Sequence, residues 1–133
     1  MRALAASFTL LASAAEAQDA AIDGRWASPG GNVIIEIAPC GKARCGTVKW
    51  ASDRAKQDAR AGTKQLVGSD LLTGLEEKKP GQWDGQLFIP DHNLRAKAKV
   101  QPIGDRQLKV SGCAFRIICR TEFWNRTEQP LPE

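Results

Sequence analysis

Leu94-Arg95-Ala96-Lys97-Ala98-Lys99-Val100-Gln101 is the stretch whose reading decides the fold. Leu94, Ala96, Ala98 and Val100 alternate strictly with Arg95, Lys97, Lys99 and Gln101. With a side-chain period of two, this is a strand with one buried apolar face and one solvated basic face. Downstream, Leu108 and Val110 alternate with Gln107, Lys109 and Ser111, and the closing run 116–126 is long enough to cross a barrel wall. Upstream, Trp83, Gly85, Leu87 and Ile89 share a face opposite Asp84, Gln86 and Phe88. Earlier still, Val33, Ile35 and Ile37 alternate with Ile34 and Glu36 until Pro39-Cys40-Gly41 ends the run, and Gly46-Thr47-Val48-Lys49-Trp50 returns.

About eight strands are expected, near residues 24–28, 32–39, 45–50, 65–74, 82–89, 94–101, 106–112 and 116–126. Short strands at this spacing make an antiparallel sandwich or barrel. Eight of them closed on themselves leave no exposed edge and enclose room for side chains or one small ligand. The expected fold class is therefore all-β, a small antiparallel up-and-down β-barrel. One segment breaks the period: Ser52-Asp53-Arg54-Ala55-Lys56-Gln57-Asp58-Ala59-Arg60 opens with an N-cap residue and lacks an apolar stripe, which predicts a solvated loop or one or two helical turns.

The chain has 133 residues, which allows one domain. Its 19 Lys plus Arg against 15 Asp plus Glu leave a formal charge of +4. No block of five or more like charges is present, so no nucleic-acid arm is expected, only weak attraction to anionic surfaces. One histidine excludes most histidine-built metal sites, and neither a metal nor a cofactor is expected. The first residues carry one positive charge, then an apolar run of roughly a dozen residues, short of the ~20 of a transmembrane helix. The small residues Ala14-Ala15-Glu16-Ala17 follow. This reads as a signal peptide, 1–17, cleaved after Ala17. The mature chain is expected to be a single barrel domain, 18–128, with no transmembrane segment, a disordered tail at 129–133, and a periplasmic or secreted location.

Four cysteines fit an oxidising compartment as two disulfides. Three pairings are possible. Cys40 and Cys45 flank Gly41-Lys42-Ala43-Arg44, which reads as a hairpin loop, and Cys113 and Cys119 flank a second tight bend. Loop entropy favours a long bridge, at about 4.5 kcal/mol against about 2 for each short loop. Geometry favours local pairing, Cys40 with Cys45 and Cys113 with Cys119, because an unstrained bridge needs Cα atoms within about 7 Å.

Gly24-Arg25-Trp26 opens the first predicted strand and resembles the Gly-x-Trp signature of the lipocalins and their calycin relatives. The resemblance implies that Trp26 plugs one end of the barrel and that a basic residue of the last strand, Arg126 or Arg120, stacks on it. A longer pattern runs in order. It comprises Pro39-Cys40-Gly41, Cys45-Gly46 with Trp50, Gly68-x-x-Leu71-Leu72-x-Gly74-Leu75, Trp83-x-Gly85-x-Leu87-Phe88-x-Pro90, Gly112-Cys113, Cys119-Arg120 and Trp124-x-Arg126. It resembles the bacterial exported family called domain of unknown function 2147 over about residues 23–126. That family implies a small calycin- or lipocalin-like barrel and carries no activity with it. The sequence departs from the family where an aromatic-Asp-Pro turn, a Gly and a Tyr are usual: here stand Phe88-Ile89-Pro90, Asn93 and Ala96. Asn93 suits the left-handed turn that Gly would supply. An inward Ala96 would leave extra cavity volume.

Two functions compete. In the first, the barrel holds a small apolar or amphipathic ligand, lined by Trp50, Trp83, Leu87 and Phe88, with Gly24, Trp26 and Arg126 closing the far end. In the second, the protein is an interaction or inhibitor module that docks on an envelope or host macromolecule. It would use the loops 52–63 and 76–81 and the Arg95, Lys97 and Lys99 face. Catalysis has no support, since His92 lies in the turn Pro90-Asp91-His92-Asn93 and Ser69-Asp70 lacks a strand-turn-helix context. The adjacent carboxylates Glu76 and Glu77 would point to opposite faces of a strand and read as a charged loop tip.

Overall fold

The computed structural model describes residues 3–7, 20–115 and 117–132. Most of the expected leader and its cleavage point lie outside the described residues, as do Arg116 and Glu133. Eight strands follow one another: β1 (Gly24–Ala27), β2 (Val33–Cys40), β3 (Ala43–Ala51), β4 (Asp70–Lys79), β5 (Gln82–Ile89), β6 (Leu94–Ile103), β7 (Gln107–Ala114) and β8 (Ile118–Arg126). Each is antiparallel to the next, and β8 returns to β1 through Trp26↔Arg126 and Ala27↔Asn125, which closes the barrel. The up-and-down lipocalin-like barrel is thus present, with one short helix, α1 (Asp53–Asp58), in the β3–β4 connection. Ser52 caps that helix, its Oγ accepting from the Ala55 amide at 3.1 Å.

The alternation on β6 propagates by register. Ala98 faces Gly112, and Val100 faces Val110. On the next strand Leu108 faces Trp124, Val110 faces Glu122 and Gly112 faces Arg120. These residues form the inner row, whereas Arg95, Lys97 and Lys99 lie exposed outside. Trp26, Ile35, Ile37, Val48, Leu72, Leu75, Val100 and Leu108 are fully buried between the walls. Burying each aliphatic member stabilises the fold by about 1.5–3 kcal/mol.

Three local differences from the sequence reading have clear causes. β4 begins at Asp70 rather than near 65, because the preceding residues form a turn in which the Ser69 hydroxyl donates to the Leu66 carbonyl and the Gly68 amide to that of Val48. Glu76, Glu77 and Lys79 are strand residues, paired with Asp84, Trp83 and Gln82, so the β4–β5 turn narrows to Pro80 and Gly81. Register shifts between Ile34 and Ile35 insert an extra residue opposite β2, since Ile35 pairs with Val48 but Ile34 with Trp50. The inward row of β3 therefore moves from Gly46 and Val48 to Ala51, which is buried.

Both disulfides are local hairpin bridges. Cys40 joins Cys45 with Cα atoms 5.7 Å apart, and Cys113 joins its cross-strand partner Cys119 with Cα atoms 4.1 Å apart.

Candidate functional site

One end of the barrel is sealed. Trp26 lies fully buried there, its indole Nε1 donating to the Ile22 carbonyl at 2.9 Å. The Arg126 guanidinium stacks over that ring, 4.2 Å from the centroid. It also donates to three carbonyls, those of Asp23 at 2.9 Å, Ala21 at 3.0 Å and Asp105 at 2.8 Å. Gly24 makes the approach possible: its φ is +119°, and a Cβ there would lie 2.6 Å from Arg126 Nη1. Arg44, on the inner row of β3, pairs with Asp23 at 3.3 Å and stands 5.5 Å over the Trp83 ring. Most of the available donors at this end are therefore spent on the fold.

The opposite end is open. The β1–β2, β3–β4 and β5–β6 connections, with β7 and β8, surround a cavity of about 270 Å³ that descends into the barrel. Its apolar wall includes Leu66, Leu71, Leu87, Val110 and Trp124, with Phe88 and Pro90 at the rim. Ala55 of α1 and Val33 of β2 close the opposite side. Polar groups reach it from Ser28, Asn32, Asp58 and Asp91, and from Arg120 and Glu122 on β8. Neither Arg120 nor Glu122 forms an ion pair or side-chain hydrogen bond with the described residues. Trp124 is 8% exposed, and its Nε1 is a buried donor with no hydrogen-bond partner among the described residues. A buried N–H left unpaired is costly in a native protein, about 1–3 kcal/mol, and calls for an acceptor.

Close packing shapes the floor beneath Arg120. Ala96 faces inward, and Leu87 leans across it toward Gly112, where an added Cβ would lie 2.9 Å from Leu87 Cδ2. The volume that a small residue at 96 releases is thus partly taken by Leu87.

The residues singled out in the sequence separate into two groups. Leu87 and Phe88 border the cavity, Leu87 from the inner row and Phe88 from the outer one, with the Arg95 guanidinium 4.7 Å over its ring. Trp83 is on the inner row but at the sealed half, against Arg44. Trp50 is carried off the inner row by the bulge between β2 and β3 and does not border the cavity. Arg126, not Arg120, stacks on Trp26, since Arg120 lies six residues back along β8 at the mouth. Sequence reasoning missed Glu122 and Trp124 as cavity residues. The available signal was parity, because the spacing of 120, 122, 124 and 126 places all four on one face of β8.

His92 is exposed at the end of the turn Pro90–His92, and Asn93 takes the left-handed conformation with φ 47°. Among the described residues no group of three or more His, Cys, Asp or Glu side chains is placed to hold a metal ion. Lys78, whose ammonium is held above its ordinary pKa by the hydrogen bond and charge of Glu76, sits on exposed β4, outside the cavity. None of the described helices is long and apolar enough to cross a membrane.

A closed eight-stranded antiparallel barrel, plugged at one end by a Trp–Arg stack and open at the other, is a lipocalin-like fold. A solved structure with this architecture is protein HP1028 from the human pathogen Helicobacter pylori, described as belonging to the lipocalin family. It matches with a TM-score of 0.61 at 12% identity, over 80% of this chain and 83% of that one. Residues 24–126 match the family described as "Uncharacterized protein conserved in bacteria (DUF2147)", and the chain belongs to that bacterial family. Comparison with curated proteins returns no match.

Proposed function

We propose that this protein binds a small amphipathic molecule in the mouth cavity, in an oxidising compartment outside the bacterial cytoplasm. The observation that carries this reading is the unpaired indole N–H of Trp124 in the wall of an otherwise largely apolar cavity. Ligand sites of this kind combine apolar walls with a few placed polar groups. The volume, about 270 Å³, is at the lower limit of the ~300–1,000 Å³ of such sites. It suits a short-chain molecule, or one end of a longer one. In this reading the acyl part lies against Leu71, Leu87 and Val110, the Trp124 N–H donates to an acceptor, and Arg120 meets an anionic head group. Phe88 forms part of the rim, and Gly24, Trp26 and Arg126 serve as the fixed base.

Export rests on the leader-like residues 1–17 and on the two disulfides, which persist in oxidising compartments. Binding rather than catalysis is favoured because the cavity has an anchor and apolar walls and lacks a nucleophile beside a base. The test is native mass spectrometry of gently purified protein, followed by titration with octanoate monitored by tryptophan fluorescence. Saturable binding is expected, weakened about fivefold by Trp124→Phe, which removes one hydrogen bond while keeping the ring. Val110→Phe should fill the cavity and abolish binding. Octanoate affinity unchanged by both substitutions would sink the proposal and favour docking through the outer surface.

A further inference from the structure

The β7–β8 hairpin ends in an apolar tip that the core does not use. Phe115 is 76% exposed, Ile117 86% and Ile118 64%. The large hydrophobics exposed elsewhere among the described residues, Leu4, Ile103 and Phe123, are scattered singly. Single exposed apolar residues are ordinary, but three within four positions at one protruding turn are not. The base of the tip is cross-linked. Cys113 and Cys119 are bonded directly across the ladder at its base, and Phe115 sits in the left-handed turn region with φ 55°. A hairpin cross-linked at its base loses less conformational entropy when its tip docks.

The surroundings of the tip select the partner. Lys97 lies in register with Cys113 on the outer face, Arg95 is two residues nearer the mouth, and Lys99 faces Ser111 below. All three are exposed, and none forms a salt bridge with the described residues. The outer-face acidic group on the neighbouring strand is Asp84, opposite Lys99, while Asp91 and Glu122 belong to the cavity. An apolar tip beside a row of cations matches the interface of an anionic bilayer. There, hydrophobic side chains enter the acyl boundary and lysines meet lipid phosphates. A protein partner would need a much larger apolar area than one turn, since stable interfaces bury about 800 Å² on each side.

We propose that the Phe115, Ile117 and Ile118 tip docks this barrel on anionic phospholipid membranes, with Arg95, Lys97 and Lys99 supplying the charge preference. Ile118 and Arg120 share one face of β8, so docking brings the cavity mouth to the lipid surface. The inference stands on the outer surface and holds whether or not the cavity is occupied.

Co-sedimentation of the purified protein with phosphatidylcholine vesicles, with and without phosphatidylglycerol, tests it. The protein should sediment with the anionic vesicles and be released by salt. Phe115→Asn combined with Ile117→Ser should reduce that partitioning by at least about tenfold, Asn being tolerated at a left-handed position. Lys97→Gln with Lys99→Gln should reduce it by about fivefold per charge, on anionic vesicles alone. Unfolding midpoints of both double variants should match the parent, since every changed side chain is exposed, and the charge variant still decides if the tip variant fails to fold. Absence of sedimentation with anionic vesicles, or partitioning indifferent to both double variants, overturns the proposal. So does a tip variant that loses self-association in sedimentation velocity while keeping its vesicle binding.

Discussion

Arg120 and Arg126 stand six residues apart on the same face of β8, yet they belong to two differently built ends of one barrel. Arg126 is half-buried and fully engaged: its guanidinium lies 4.2 Å over Trp26 and donates to the carbonyls of Ala21, Asp23 and Asp105. Arg120 is exposed beside a cavity and has no ion pair or side-chain hydrogen bond with the described residues. The same contrast separates Trp26 from Trp124, both on the inner row. Trp26 donates its N–H to Ile22, whereas Trp124 has no acceptor among the described residues. The lesson is that the polar groups of the plug are satisfied within the chain, whereas Arg120, Glu122 and the Trp124 N–H at the mouth have no partner among the described residues. Stability should therefore be concentrated at one end and recognition at the other.

Trp26→Ala offers the harshest way to break this comparison. It removes a fully buried ring, the hydrogen bond to Ile22 and the surface under Arg126. A loss of about 3–5 kcal/mol is expected, read from the midpoint and slope of urea unfolding. A loss under about 1 kcal/mol would mean that the plug is not part of the core. Arg126→Ala comes next. It leaves the ring in place but deletes the stack and three charge-assisted bonds to carbonyls, for an expected cost of about 2 kcal/mol. Arg126→Lys should restore little of this, because an ammonium cannot lie flat on the ring and reach all three carbonyls.

Much of this plan was legible in the sequence, and the parts that were not have a common cause. Strict alternation on β6 and β7 fixes which side chains face inward, and turn residues between short strands point to a meander. Ser52 and the break in the period of two mark 52–60 as a loop or one or two helical turns, and the short helix Asp53–Asp58 is what forms there. Alternation gives parity but not height, so Trp83 reads as an inner residue without revealing that it sits at the sealed half. Nor does parity survive a bulge. The extra residue opposite Ile34 and Ile35 turns Trp50 off the inner row, and nothing in Gly46-Thr47-Val48-Lys49-Trp50 signals it. Phe88 shows the converse, an outer-row residue that reaches the cavity rim. Glu122 escaped notice because a charged residue on an inner face contradicts the pattern used to find the core. Such contradictions are expected where a sequence serves a site rather than the fold.

The gentlest substitutions separate the two ends most sharply. Arg120→Ala and Glu122→Gln remove charges with no partner among the described residues, so each should leave unfolding within about 0.5 kcal/mol of the parent. Their effect should be on the probe instead. Octanoate brings a carboxylate to a rim where Arg120 attracts it and Glu122 repels it, so the two substitutions should act in opposite directions. Arg120→Ala should weaken binding by about threefold to tenfold, and Glu122→Gln should tighten it by a smaller factor. Octanol, of the same length and without the charge, should respond to neither, although both probes should still depend on Trp124. Added salt should shrink the two octanoate effects together, because both charges lie at a partly solvated mouth. If Arg120→Ala instead destabilised the fold as much as Arg126→Ala, Arg120 would be part of the framework. The distinction between a closed end that stabilises and an open end that recognises would then fail.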